Sequence, residues 1–396
     1  MSRALVAGLV AAVVVVPHAG ATAKTATAPV IAVVGESGLN VLHHDFRTPD
    51  GSTPAYPPSL GHVVLVTLPA NGTFAEKRAA VVAGPLGHLQ PGQVYGIRGT
   101  RLLVASAPGD NPATDVTGGG STTYTAEGVQ DETLHGTGVV DAAIGTRFGT
   151  ASQALALLVL GSGADAWAWV ASQPAVDVVT TSDYEVGQPC VGAQPVRRLV
   201  ASGRPVFSSS GNTTDEGEQL TSPNGLAEVY QVGGVTPDGA PYGTPHQDSD
   251  PWYAGGQVTR PYQTGELYDF VTASYDSETG TMRFGGTSGA TPRTAGWAAR
   301  LIAHARQQRA RPVRGPLADG RLTEPELVQL MRHVAVPSMS GQAGAFYAEG
   351  YGALNGRAVQ RAIRVLDGGE PEPARPDDDA REAQVEQART VAFAGC

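Results

Sequence analysis

The sequence predicts a three-layer α/β fold, in which a mainly parallel β-sheet is covered by helices on both faces. Three observations carry that expectation. The runs Val30–Val34 and Ala154–Leu160 are apolar at successive positions, so both faces of each strand must be buried, as in a parallel sheet. Such runs alternate along the chain with segments of helical spacing. At 41% hydrophobic and 16% charged residues, a chain of 396 residues can bury a large core.

The elements follow in chain order. Arg3 precedes a 13-residue run, Ala4 to Val16, and then Pro17 and the small residues Ala21-Thr22-Ala23. This is the pattern of an export signal with a small-x-small cleavage site. The run is shorter than the roughly 20 residues that a bilayer-spanning helix needs. The expected mature protein therefore begins near Lys24, is secreted, and has no stable membrane span. Strand Val30–Val34 ends in the turn Gly35-Glu36-Ser37-Gly38, and strands are expected at Val63–Leu68 and Leu102–Ala105 among Pro- and Gly-bearing loops. The turn-rich segment Ala107–Ser121 is expected to be exposed. Val139, Val140, Ala143 and Ile144 give a helix after His135, and Ala164–Ala171 gives another. Strands are expected at Val176–Thr180, Val206–Ser208 and Val229–Gly233. Pro292 is expected early in a helix that runs to about His304, where its missing N–H is harmless. Thr323-Glu324-Pro325-Glu326 is a capping box for a helix that buries Leu327, Leu330, Met331 and Val334.

The expected organisation is a signal at 1–23, one domain at 24–365 with an insertion at about 49–125, and an acidic, Pro-rich tail at 366–396. No internal repeat is found. The 27 Lys and Arg against 37 Asp and Glu give a net charge of −10, which leaves no phosphate-neutralising surface and excludes a nucleic-acid binder. Gly (51) and Pro (29) are abundant without a G-X-Y period, so the chain is loop-rich but not collagenous. Cys190 and Cys396 can form at most one bridge, so neither a disulfide scaffold nor a sulfur-bound structural metal is expected.

Four motifs carry chemistry. In Gly285-Gly286-Thr287-Ser288-Gly289-Ala290-Thr291-Pro292 a serine follows glycines at a helix start, where its hydroxyl is presented from a tight turn and its own N–H can face a developing oxyanion. His135-Gly136-Thr137-Gly138 places an imidazole at the head of another helix, with a pKa suited to proton transfer near neutrality. No His-Glu-x-x-His arrangement is present, so a zincin-type site is excluded. Ser208-Ser209-Ser210-Gly211-Asn212 follows a strand, and the amide of Asn212 can donate to an oxyanion. Asn212-Thr213-Thr214 also fits a glycosylation sequon, a reading that would block such a site. Glu36 stands at the carboxyl end of a central strand, where open α/β sheets place functional groups.

Acid, His, Asn and Ser in this order resemble the subtilisin-like serine peptidases, the subtilases. The resemblance covers most of Val30 to Ile363 and includes Gly350-Tyr351-Gly352-Ala353-Leu354-Asn355, similar to the family's closing Gly-Tyr-Gly motif. It implies a secreted endopeptidase with Ser288 as nucleophile, His135 as general base and acid, Glu36 holding the imidazole, and Asn212 as oxyanion donor. Ser182 and Gly211 would border the substrate, and Asp183 and Glu185 would flank its pocket. Peptides or proteins are the implied substrates, acted on by a monomer that requires no cofactor. Structural calcium is frequent in the family, but no spaced ligand set is found here and no metal site is expected.

The chain departs from the family pattern in five places. Glu36 stands where the family has aspartate, and its extra methylene must be absorbed by the backbone, for which Gly35 is the available hinge. Gly138 and Arg293 replace histidines common in the family, a tolerable change because neither position belongs to the proton-transfer chain. The 98 residues between Glu36 and His135 imply an insertion of one or two strand pairs. Only six residues, 24–29, separate Ala23 from the first expected strand, too few for a folding pro-domain. Glu36 and the lack of room for a pro-domain keep two other readings in view. One is a catalytically silent subtilase fold used for binding, and the other is a sedolisin-like Ser/Glu acid peptidase. Asp131 and Asp141 are the acids to test in place of Glu36 if it does not orient His135.

Overall fold

The computed structural model describes residues 28–36, 38–108, 135–161, 163–182, 190–210, 223, 226, 228–235, 241–242, 263–265, 269–308, 312–336, 351–374 and 396. Its centre is strand β1 (Val30–Glu36), in which every residue is buried. Parallel partners lie on both sides: β5 (Leu155–Leu160) and β6 (Val178–Thr181). Beyond β6 the sheet continues in parallel through β7 (Val206–Ser209), β8 (Tyr230–Val235), β10 (Gln263–Gly265) and β13 (Ala353–Leu354). The short strand β9 (Pro241–Tyr242) pairs antiparallel with β8. These bounds differ from the sequence expectation by one or two residues at most strand ends.

Side chains alternate across β1, so Ile31 and Val33 enter one core while Val30, Ala32 and Val34 enter the other. Helices α2 (His135–Ile144), α5 (Gly286–Gln307), α6 (Glu324–Val334) and α7 (Gly356–Leu366) cover the first core. Helices α3 (Ala164–Ala171) and α4 (Ala193–Ala201) cover the second. Each fully buried Val, Leu or Ile contributes roughly 1.5–3 kcal/mol of transfer free energy, so this double cover is the main stabilising term. The three-layer α/β class expected from the sequence is the observed one.

The segment between Glu36 and His135 extends the same sheet. Strand β2 (Val63–Val66), helix α1 (Phe74–Ala83), β3 (Val94–Ile97) and β4 (Leu102–Ser106) place three strands beyond β5 in the order β5-β4-β3-β2. That is three strands and a helix, where one or two strand pairs were anticipated. Helix α1 carries a second capping box, Thr73 with Glu76, beside the anticipated one at Thr323 and Glu326. Ala107, at the head of the turn-rich segment, is buried, and most of the rest of that segment lies outside the described residues.

Helix α5 differs from its sequence expectation in one informative way. It begins at Gly286, so Pro292 sits inside it rather than in its first turn. Cys190 and Cys396 are joined by a disulfide with Cα atoms 5.1 Å apart, and the backbone carbonyl of Cys396 accepts from Gln194 at 2.8 Å. The chain terminus is thereby tied to the start of α4.

Candidate active site

The acid comes from the end of β1. Gly35 adopts φ +88, a left-handed value that side chains disfavour, and the register with β5 shifts between Val34 and Glu36. This bulge displaces the strand end by one residue and turns Glu36 toward α2. Oε2 of Glu36 then lies 2.6 Å from Nδ1 of His135, with the Glu36 side chain 1% exposed and His135 34% exposed. An ionised carboxylate can only accept, so in the neutral ring Nδ1 carries the proton and Nε2 does not. Oε1 of Glu36 is buried and finds no hydrogen-bond partner among the described residues.

Close backbone approach fixes the start of α2. A Cβ on Gly136 would lie 2.0 Å from the carbonyl oxygen of Gly38, so only glycine lets the helix come this near to the end of β1. Thr137 Oγ1 accepts from the backbone N–H of Asn40 at 3.0 Å, and both residues are buried.

The serine comes from the opposite side. Strand β11 (Asp269–Ala273) pairs antiparallel with β12 (Thr281–Gly285), and the chain passes from β12 straight into α5. Gly286 takes φ +68 at this turn. Ser288 is the third residue of α5, so its N–H is one of the four that a helix start leaves without an intrahelical partner. Four residues on, Pro292 has no N–H to give to the carbonyl of Ser288. The hydroxyl of Ser182, just past the end of β6, donates to that carbonyl at 2.9 Å. Ser182 was expected to border substrate, and the observed contact ties the end of β6 to the backbone of Ser288.

Strands β1, β6 and β7 are parallel neighbours, so their carboxyl ends share one edge of the sheet. Glu36 and Ser182 lie at that edge, and β7 ends there at Ser209. Gly211 and Asn212 follow shortly in sequence but lie outside the described residues, as do Asp131, Asp183 and Glu185. Arg293, where a histidine is common in the family, donates to the carbonyl of Phe148 at 2.8 Å, a structural contact. Among the described residues no group of three or more His, Cys, Asp or Glu is placed to hold a metal ion.

The sequence reading missed a second buried acid pair. Asp141, two turns along α2 from His135, accepts from the backbone N–H of Ala273 on β11 at 2.8 Å and lies near Asp45. Burial, and then the neighbouring Asp45, push the Asp141 carboxyl well above its usual range, so it holds a proton. Burial would also raise Asp45, but neighbouring Asp141 and hydrogen bonds from Arg147 outweigh it and hold Asp45 below the usual range. Arg101, lowered to about 10 chiefly by burial, donates to the carbonyls of Asp45 and Ser152 at 2.7 and 2.6 Å. Asp141 is thus committed to β11 and Asp45, and the carboxylate on the imidazole is Glu36. The signal that could have revealed this pair is an aspartate in the apolar run Val139–Ile144, where burial demands a partner.

A buried carboxylate meets an imidazole at the head of α2, and a serine stands in the first turn of α5. A sequence model of the subtilase family matches residues 29–352, and the chain belongs to this family as a serine endopeptidase. No curated protein matches the chain. Among solved structures it is similar to the protease domain of PatA, at 16% identity over 88% of this chain and 99% of that one, with a TM-score of 0.49. It is also similar to sphericase, at 17% identity over 83% and 94% with a TM-score of 0.47. A third similar structure is the epidermin leader peptide processing serine protease of Staphylococcus aureus, at 14% identity over 86% and 76% with a TM-score of 0.44.

Proposed function

We propose that the chain is a secreted endopeptidase in which Ser288, His135 and Glu36 form the catalytic triad and Asn212 completes the oxyanion hole. The observation that carries this reading is the 2.6 Å contact between Glu36 Oε2 and His135 Nδ1, made possible by the bulge at Gly35. Nε2 of His135 accepts the proton of Ser288 Oγ as the hydroxyl attacks the peptide carbonyl. It then passes that proton to the leaving amine, and a water repeats the sequence on the acyl-enzyme. Glu36 keeps its charge throughout, holding the Nδ1–H tautomer and stabilising the imidazolium. The N–H of Ser288 and the amide of Asn212 receive the oxyanion. The substrates are peptides or proteins, the working unit is a monomer, and no cofactor enters the reaction. Secretion follows from the signal pattern at 1–23. Among the described residues no helix is long and apolar enough to cross a membrane.

The test is labelling with a fluorophosphonate, followed by mapping of the adduct. Labelling on Ser288, abolished together with casein cleavage in Ser288→Ala, supports the reading. Folded protein that is neither labelled nor active would instead make this a silent fold. The orphaned Oε1 of Glu36 is the observation that favours that outcome. The rate should rise through an apparent pKa of roughly 6 to 7 and stay high into mild alkali. An optimum below about pH 5 would transfer the base to a carboxyl, as in an acid peptidase.

A further inference from the structure

The imidazole of His135 has a second neighbour besides Glu36. Phe284 lies on β12, four residues before Ser288, with its ring centroid 5.6 Å from that of His135 and the planes inclined at 71°. The inward position of Phe284 depends on Gly138. A Cβ added at Gly138 would lie 2.6 Å from two atoms of the Phe284 ring and 2.8 Å from a third, inside contact distance. Phe284 is buried although its neighbours Met282 and Arg283 are not. The single turn of α2 from His135 to Gly138 therefore presents an imidazole and, beside it, a seat that only glycine leaves open.

We propose that Phe284 is a positioning residue for His135. Its ring, admitted by Gly138, holds the imidazole in the rotamer that meets Glu36 and shields the Glu36–His135 pair from water on the side facing β12. The proposal rests on the triad reading for its catalytic consequence, but the placement of the ring stands independently of it. Edge-inclined aromatic pairs of this separation attract beyond simple area burial, which favours one rotamer of the imidazole. Phe284 and Ser288 share one continuous segment across the β12–α5 turn. A ring anchored on that segment therefore sets the imidazole relative to the serine as well as to the carboxylate.

Among the described residues, charged and titratable groups on four elements near His135 bear on its titration. Glu36 of β1 is in contact, and Arg283 of β12 is exposed. Asp141 of α2 is turned to Ala273, and Arg293 of α5 to Phe148. Removing the ring changes none of these charges. It replaces an apolar face with water, which favours the imidazolium.

The experiment is an NMR titration of His135 in the full-length protein, selectively labelled at histidine, for wild type, Phe284→Ala and Gly138→Ala, with kcat and KM measured alongside. The two variants remove the contact from opposite sides, one by deleting the ring and the other by filling its seat. Both should raise the His135 titration midpoint by about half a unit. Both should lower kcat by about tenfold with KM within about twofold of wild type. Phe284→Tyr should restore the wild-type midpoint. An unchanged midpoint in both folded variants overturns the proposal. So does a raised KM at constant kcat, which would make Phe284 a substrate contact. A wild-type protein that resists fluorophosphonate and leaves casein intact would defeat the triad reading, and the titration would still decide the placement of the ring. If Phe284→Ala fails to fold, Gly138→Ala, which keeps the ring in the chain, gives the decisive midpoint.

Discussion

Two buried carboxyl groups sit along α2, and they have opposite fates. Glu36 at the head of the helix meets an imidazole that is one-third exposed, whereas Asp141 two turns on meets another carboxyl and a backbone N–H in the interior. The first pair couples an acid to a group that can gain and lose a proton within reach of solvent. The second sets a carboxyl raised by burial near one held low by Arg147, in the interior, with Arg101 close by. Burial is common to both, so burial alone does not make a catalytic acid. The partner and its access to solvent do.

This contrast can be broken first where the expected effect is largest. Glu36→Gln should lower kcat by about 10⁴ while the protein stays folded, because the amide favours the wrong tautomer of His135. Asp141→Asn, which imitates the protonated carboxyl, should leave kcat within about threefold of wild type, since Asp141 touches neither His135 nor Ser288. Equal losses in the two variants, read from steady-state rates on a peptide substrate, would erase the distinction.

Smaller effects sharpen it. Asn212→Ala should reduce kcat by roughly 10² to 10³ with little change in KM, since its amide meets a charge present only in the transition state. Ser182→Ala leaves the Ser288 carbonyl without its donor, because Pro292 cannot supply one. It should cost about tenfold in kcat, through displacement of the serine backbone. A change confined to KM would return Ser182 to the role of a substrate contact.

The smallest effect lies in stability rather than rate. Asp141 is raised in the folded protein, so its contribution is fully present below the unfolded carboxyl pKa. That contribution is lost as pH rises through the folded value. Thermal melting of wild type should therefore lose ground to Asp141→Asn as pH rises from about 5 to 8, by a few degrees. The opposite sign holds for His43, which burial lowers below its usual value. Its Nδ1 accepts from the N–H of Asp45 and its Nε2 bonds the carbonyl of Gly280. Its contribution is complete above the unfolded histidine pKa and is lost as pH falls through the folded one, a slope seen by the same melts in acid.

Much of the sheet and part of the site were legible in the sequence for plain physical reasons. An all-apolar pentapeptide such as Val30–Val34 has few places to go but the centre of a covered sheet. The extra methylene of Glu36 demanded a backbone adjustment, and Gly35 was the residue able to make it. The capping box at Thr323 and Glu326 is a local signal that needs no tertiary context. What stayed hidden depends on residues brought together from afar. Pro292 looked harmless near a helix start, and its consequence appears only when Ser182, from another strand, meets the carbonyl that it leaves free. Gly138 looked like a tolerated replacement, whereas the space it opens is filled by Phe284 from β12. Cys190 and Cys396 are 206 residues apart, and no local pattern announces that they pair.

If Glu36 fixes the tautomer of His135, the protonation of the two ring nitrogens reports it. With ¹⁵N-labelled histidine at a pH where His135 is neutral, the account predicts a proton on Nδ1, shifted downfield by its bond to the carboxylate, and a bare Nε2. In Glu36→Gln that proton should move to Nε2. A wild-type protein with the proton already on Nε2, or a tautomer indifferent to the substitution, would contradict the claim that Glu36 prepares His135 for its part in catalysis.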